Sequence, residues 1–291
     1  NPDYHVPYID FYENLGQLKN AGSWEHTLHI DSMDKGYRVF LGWPIDLLYR
    51  DEKFIRKKFR DPHKIYPDEI VNRKSRHYLR RVITDLLIRL HDLADLPLVC
   101  RTNSPEANNP VFLFRVDTDY SDASTIEQLY RLAERYGLRF TWFLHVEAHR
   151  EWIYSFKEMR NQELALHGYE HAFSDSFEKN TNNILSAARV LKAENLSFTG
   201  YCAPYGIWSP GLGKAIDKTG LEYSSEFTLS YDDLPFHPLK DGKLYDHLQI
   251  PVHPVCTGSF SRKHGTSDQM INYFDAVINQ KVDNGEPVVL Y

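Results

Sequence analysis

The chain contains no apolar run of the roughly 18 residues needed to cross a bilayer, so no transmembrane segment is expected. It has only three cysteines, Cys100, Cys202 and Cys256, far apart and without CxxC spacing. That excludes a thiolate zinc site and a disulfide framework. Positive charge is not in excess: the formal net charge of -6 argues against a general affinity for nucleic acid or anionic membranes. Neither an internal repeat nor a low-complexity tract is found, and the first residues carry no signal-peptide pattern. With the unpaired cysteines, this gives the expectation of a cytoplasmic protein. The number of chains per assembly is not set by the sequence.

What is present is a globular composition, 42% hydrophobic and 25% charged, over 291 residues. That length suits one large or two ordinary domains. Residues 1–108 read as an N-terminal α/β region of unassigned role. Within it, "YRVFLGWPIDLLY" (37–49) suggests one or two strands around Gly42 and Pro44. "KFIRKKFR" (53–60) reads as a solvated basic helix face, and 67–97 as one long amphipathic helix capped by Asp68. The Asn, Ser and Pro residues of 101–110 mark a loop and the domain boundary.

From residue 109 to 291 strands and helices alternate, implying βα units and a parallel sheet or barrel. Strands are expected at 111–116, 139–145, 163–168, 197–206, 247–255 and 286–291, with a short one at "LEYSS". Helices are expected at 123–137, 150–160, 176–195, 210–220 and 267–285, the last capped by Ser267 or Asp268. In such folds the chemistry collects at the carboxyl ends of the strands.

The polar residues fall where that rule places them. The first of these strands ends in "RVDTDYSD", with Asp117 and Asp119 two apart and able to face one side. The third ends at His167, and His171 follows in "HGYEH". The fourth ends in "GYCAPYG", a Pro–Gly turn with backbone amides available. Two His and one Asp form a facial set for Zn²⁺ or another divalent ion (Co²⁺, Ni²⁺ or Mn²⁺), with positions left open. A second carboxylate can serve as general base. The pattern points to metal-assisted hydrolysis of an amide or ester. The second histidine pair, His145 and His149, reads as structural or pocket-lining, and Asp122 with Ser121 as a helix cap.

These three motifs, in this order, resemble the first three motifs of the polysaccharide deacetylase family, carbohydrate esterase family four. The resemblance covers about residues 110–291. It implies a distorted (β/α) barrel and removal of acetyl groups from N-acetylated sugars. Carried over, it makes Asp117 the general base, Asp119, His167 and His171 the metal ligands, and the Tyr205 N–H a donor to the oxyanion. Trp142, Tyr169, Tyr201, Tyr205 and Trp208 lie near strand ends and are candidates to line a sugar site.

Four departures from the family pattern stand out. Thr118 separates the two aspartates. Cys202 stands where an Arg usually orients the base, and a thiol forms no bidentate ion pair. Ser224 or Ser225 stands where an Asp is expected. The family's general acid is a His just past the last strand, which would fall beyond Tyr291; His253 in "QIPVHPV" is the nearest substitute. The leading expectation is a metal-dependent deacetylase of an N-acetylated sugar or glycan. The alternatives are a glycan-binding or scaffolding module without turnover, and a hydrolase of a non-sugar amide.

Overall fold

The computed structural model describes residues 28–34, 36–41, 45–59, 65–99, 111–240 and 242–291. Two compact units are distinguished, Asn1–Asp51 with Lys74–Cys100, and Glu52–Arg73 with Arg101–Tyr291. In the first, strand β1 (Leu28–Met33) pairs antiparallel with β2 (Gly36–Leu41), and two helices follow, α1 (Ile45–Tyr49) and α2 (Arg76–Leu93). The α2 cap is Ser75, whose hydroxyl accepts the Tyr78 N–H. Gly42, Pro44 and the 101–110 stretch lie outside the described residues.

The expected helix over 67–97 is therefore corrected at its start. Asp68–Asn72 form strand β4, paired antiparallel with β3 (Phe54–Lys58). This hairpin belongs to the second unit, where Val71 is fully buried among Phe227, Tyr231, Val252 and Val289. β-branched Ile70 and Val71 gain more from cross-strand pairing and burial than from helical periodicity. The same pairing turns the basic run into a strand. Its Lys57 reaches inward to the Tyr231 hydroxyl at 2.7 Å instead of facing solvent from a helix.

The rest of the second unit is a parallel seven-stranded sheet. Its strands are β5 (Phe112–Asp117), β6 (Phe140–Leu144), β7 (Glu163–Leu166), β8 (Gly200–Tyr201), β9 (Tyr223–Ser224), β12 (Leu248–Gln249) and β13 (Val288–Leu290), in the order β12-β9-β8-β7-β6-β5-β13. A two-residue antiparallel pair, β10 (Leu239–Lys240) and β11 (Lys243–Leu244), precedes β12. The sheet curls, and beyond β12 the chain meets the opposite edge, where the His253 N–H donates to Val289 O at 2.8 Å. The expected strand 247–255 shortens to two residues because Pro251 and Pro254 have no N–H to give a ladder. The result is the expected distorted (β/α) barrel, closed along one side by a backbone hydrogen bond instead of paired strands.

Helices α3 (Ala123–Tyr136), α4 (Phe177–Ala193) and α5 (Pro210–Thr219) connect successive strands; α6 (Thr257–Arg262) and α7 (Ser267–Asp283) precede β13. Asp122 caps α3, and Gly137 ends it in the left-handed conformation. The α7 cap is Thr266, in a reciprocal capping box with Gln269, so the chain enters this helix one residue earlier than expected. Residues 150–160 hold only a 3-10 segment, Ile153–Glu158. Side chains alternate across the sheet. Trp142, Leu144, Leu166 and Tyr201 face the helices, where they pack with Ile184, Leu191, Leu212 and Ile216. Phe143, Ala165 and Cys202 face the barrel interior.

Candidate metal and catalytic site

The polar residues singled out above follow directly on the strand ends. Asp117 ends β5, and His145, His167, Cys202 and Ser225 come immediately after β6, β7, β8 and β9. The backbone ladder runs one residue past the strands: Thr118 N–H donates to Phe143 O, His167 N–H to Leu144 O, Cys202 N–H to Leu166 O and Ser225 N–H to Tyr201 O. Every one of these side chains is thereby fixed to a neighbouring strand.

Asp119, His167 and His171 converge. The Asp119 Oδ1 lies 3.1 Å from His167 Nε2 and 3.2 Å from His171 Nε2. Two ligands each roughly 2.0–2.1 Å from a tetrahedral ion are about 3.3 Å apart, which these two separations match, and the three atoms of this triangle all lie within 4.8 Å of one another. The ring orientation also fits. His167 Nδ1–H donates to the Cys202 backbone carbonyl at 2.8 Å, so Nε2, whose proton Asp119 accepts here, is the nitrogen a metal ion would take in place of that proton. Burial alone would raise the Asp119 carboxyl, but hydrogen bonds from the two imidazoles hold it well below the ordinary carboxylate range. A second group, Asp117, His167 and Cys202, is also close. Burial pushes its Cys202 thiol up to about 11, so the sulfur is a protonated, poor ligand there.

Local sequence explains how the ligands are presented. Asp119 sits at φ 40°, a conformation that Asp tolerates, in the turn closed by Ser121 N–H on Thr118 O. Gly168, between the two histidine turns, has φ +94°, and a Cβ there would fall 2.9 Å from Glu170 O. The loop to His171 is held by Asn183 of α4, whose Oδ1 accepts from Tyr169 N at 2.7 Å and Glu170 N at 2.8 Å. The expectation for His145 and His149 matches their surroundings. His145 Nδ1–H donates to Asp119 O at 2.9 Å, and His149 Nε2–H to Thr118 Oγ1 at 2.7 Å, so they brace the aspartate turn. Burial lowers His149 to about 4 and keeps it neutral.

Asp117 is held apart from the triangle's carboxylate. Its Oδ2 accepts from Arg115 Nη2 at 2.7 Å, and its Oδ1 lies 3.6 Å from the Cys202 sulfur. Glu226, fully buried, accepts the Ala203 N–H at 2.9 Å and so fixes the turn that carries Tyr205. Burial raises its carboxyl to about 7. Sequence reasoning missed Arg115, Asn183 and Glu226. A charged residue inside the buried run "VFLFRV" was the available signal for the first.

The aromatics divide. Tyr205, at φ 61°, is 60% exposed, and its ring lies 5.0 Å from that of His171. Tyr169 is partly exposed on the ligand loop. Trp142, Tyr201 and Trp208 are instead core residues, 0%, 1% and 7% exposed, so their side chains line no sugar site. The outward phase of their strand or turn sends them under the helices. His253 lies elsewhere in the barrel. Its Nδ1 is paired with Asp232 at 2.9 Å, its Nε2 is 3.1 Å from the Tyr273 hydroxyl, and Lys281 also meets Asp232 at 3.0 Å. No hydrogen bond, ion pair or ring contact joins His253 to Asp117, Asp119, His167 or His171 among the described residues. No helix of the described residues is long and apolar enough to cross a membrane.

No family model matches the chain, and no curated protein matches it by sequence. Solved structures do. A candidate polysaccharide deacetylase from Mycobacterium smegmatis superposes with a TM-score of 0.51 at 18% identity, over 67% of this chain and 80% of its own. An allantoinase gives 0.49 at 16% identity over 67% and 83%. A family 4 carbohydrate esterase from Streptomyces lividans, solved with acetate, gives 0.35 at 19% identity over 41% and 63%. The first of these, taken with the strand order and the polar groups at the strand ends, establishes the architecture: the chain has the polysaccharide deacetylase fold in a divergent form.

Proposed function

We propose that this protein is a metal-dependent hydrolase that removes an acetyl group from an N-acetylated sugar or glycan. The observation that carries the reading is the pairing of two distinct carboxylates at one barrel mouth. Asp119 is drawn to two imidazole nitrogens at 3.1 and 3.2 Å, whereas Asp117 is held by a guanidinium and left out of that triangle. One carboxylate suits a ligand and the other a base. Asp119, His167 and His171 would hold the ion, which supplies Lewis acidity toward an acyl oxygen. Asp117 takes the proton of the attacking water. The Tyr205 backbone N–H, on a turn fixed through Ala203 and Glu226, supports the developing oxyanion.

His253, the proton donor expected from the sequence, is held away from this cluster, with Nδ1 on Asp232 and Nε2 3.1 Å from the Tyr273 hydroxyl, so no donor for the leaving amine is assigned among the described residues. Beside the loop that carries His171 lies a cavity of about 460 Å³ lined by Tyr169, Glu170, Phe173, Lys179, Asn180 and Asn183, and not by Asp117, Asp119, His167 or His171. Amide side chains with aromatic rings suit hydroxyl-rich, flat-faced sugars. Zn²⁺ is the proposed ion, by the N,N,O donor set.

The test is metal content and acetate release, measured on the protein and on the double variant His167→Ala/His171→Ala. About one ion per chain, lost in the variant together with acetate release from N-acetylated sugars, is expected. A protein that retains no ion after incubation with Zn²⁺, Co²⁺ or Ni²⁺, and releases no acetate, refutes the reading.

A further inference from the structure

Arg115 is a cation inside the barrel. It precedes Asp117 by two residues on β5, so both side chains point inward. The residue is 3% exposed. One guanidinium nitrogen meets Asp117 Oδ2 at 2.7 Å. The other donates to the Ser225 carbonyl and to Ser225 Oγ, the latter at 3.0 Å. Ser225 Oγ in turn donates to Ile250 O at 2.8 Å, so the cradle is tied to the strand end beyond β9. The guanidinium carbon lies 4.6 Å from the centre of the Tyr291 ring and 5.5 Å from that of Phe143. Arg115 Nε is buried and has no partner.

A buried guanidinium is a poor filler. It loses its hydration, and a hydrophobic residue of like volume would stabilise a barrel interior as well or better. This one also leaves a donor unsatisfied, which carries a further cost. One of its contacts is a single carboxylate oxygen at the mouth of the barrel, and the others hold the guanidinium in place beside it. The small residues around it complete the arrangement. Cys202 leaves room for the arginine head and brings its sulfur to 3.6 Å from the other oxygen, Asp117 Oδ1. Ser225 closes the cradle from the far side.

We propose that Arg115 is a positioning residue for Asp117: it sets which carboxylate oxygen faces the Asp119–His167–His171 cluster, with Ser225 and Cys202 as its seat. The guanidinium is thus supplied from β5, and the residues at the ends of β8 and β9 are small because of it. Asp117's role as base rests on the deacetylase reading above; the clamp itself rests on contacts within the barrel.

The experiment compares Arg115→Ala, Arg115→Lys and Arg115→Ala/Cys202→Arg with the parent, each loaded with Zn²⁺. Kinetics on an N-acetylated sugar oligomer are measured alongside crystal structures. Arg115→Ala lowers kcat by about 10²-fold with KM changed less than about threefold and metal content unchanged, as expected when a reacting group is misplaced by an ångström. Added guanidinium ion, or the arginine moved to position 202, recovers a large part of that loss. Arg115→Lys, which keeps the buried charge, folds and gives an intermediate kcat. In the crystal, the Asp117 carboxylate turns away in Arg115→Ala and returns in the double variant. A carboxylate that keeps its orientation without the guanidinium, or a kcat within about twofold of the parent in Arg115→Ala, overturns the proposal. If the parent releases no acetate, the deacetylase reading fails, and the orientation of Asp117 in the crystals still decides the clamp.

Discussion

At the scale of single residues, two carboxyl groups define opposite uses of burial. Asp117 is paired with a guanidinium and stays available as a base. On the proposed reading, Asp117→Asn removes the base while leaving Asp119, His167 and His171 in place. Turnover is expected to fall by about 10²–10⁴-fold with metal content retained, checked by kinetics beside elemental analysis. Glu226 is the reverse case. Burial raises its carboxyl from 4.5 to about 7, against the hydrogen bond from Ala203. Between these values the folded chain holds a proton that the unfolded chain has lost. The contribution of Glu226 to stability therefore falls as pH rises from 4.5 to about 7 and levels off above. The loss is of the order of 3 kcal/mol. Glu226→Gln keeps the acceptor for Ala203 and removes the titration, so the difference in urea-unfolding stability between parent and variant changes by that amount across the window, while the opposite slope from buried His149 is common to both. A Gln variant that keeps the parent's slope assigns the dependence to another group.

At the scale of elements, the ligand-bearing turns were legible because their chemistry is local. A strand end followed by His167 and, one turn later, His171 needs only a Gly to make the bend, and Gly168 supplies it at φ +94°. The helix start at Asp122 was legible for the same reason, since a cap is a contact over three residues. The hairpin Phe54–Lys58 with Asp68–Asn72 was not, because its strands are made by partners over 150 residues away, such as Phe227 and Val289. Strand β8 shows how tight such partnerships are. A Cβ on Gly200 would fall 2.1 Å from the Tyr223 ring, which is held by its hydroxyl on Glu163 at 3.0 Å. Gly200→Ala must push β8 from β9 or break that hydrogen bond, and is expected to cost about 1–3 kcal/mol in chemical unfolding.

At the scale of the whole second unit, a buried polar network sits where the barrel closes. Asp232 accepts from His253 and meets Lys281, and these two partners hold its carboxyl far below the ordinary range although burial works the other way. The same His253 gives its backbone N–H to β13. Asp232→Asn leaves the buried Lys281 ammonium without this carboxylate beside it. A loss of about 3–5 kcal/mol in urea unfolding is expected. Asp232→Asn unfolding within about 0.5 kcal/mol of the parent would place the closure elsewhere.

The sequence by itself determined the βα alternation, the strand ends at which Asp117, Asp119, His167 and His171 stand, and the turn that carries Tyr205. Each of these rests on short-range rules: period-two strands, capped helices and glycine-permitted bends. Only the tertiary structure decided the rest. Whether Tyr201 and Trp208 face a ligand or the core depends on which side of the sheet the helices cover. That Arg115 and Asp117 share a face follows from their spacing of two, but how the guanidinium is seated depends on the curl of the sheet, which brings Ser225 to it and Cys202 to Asp117 from the ends of two other strands. Contacts between residues 85 to 110 apart in the chain leave no local pattern, because nothing in the spacing of either partner fixes the other.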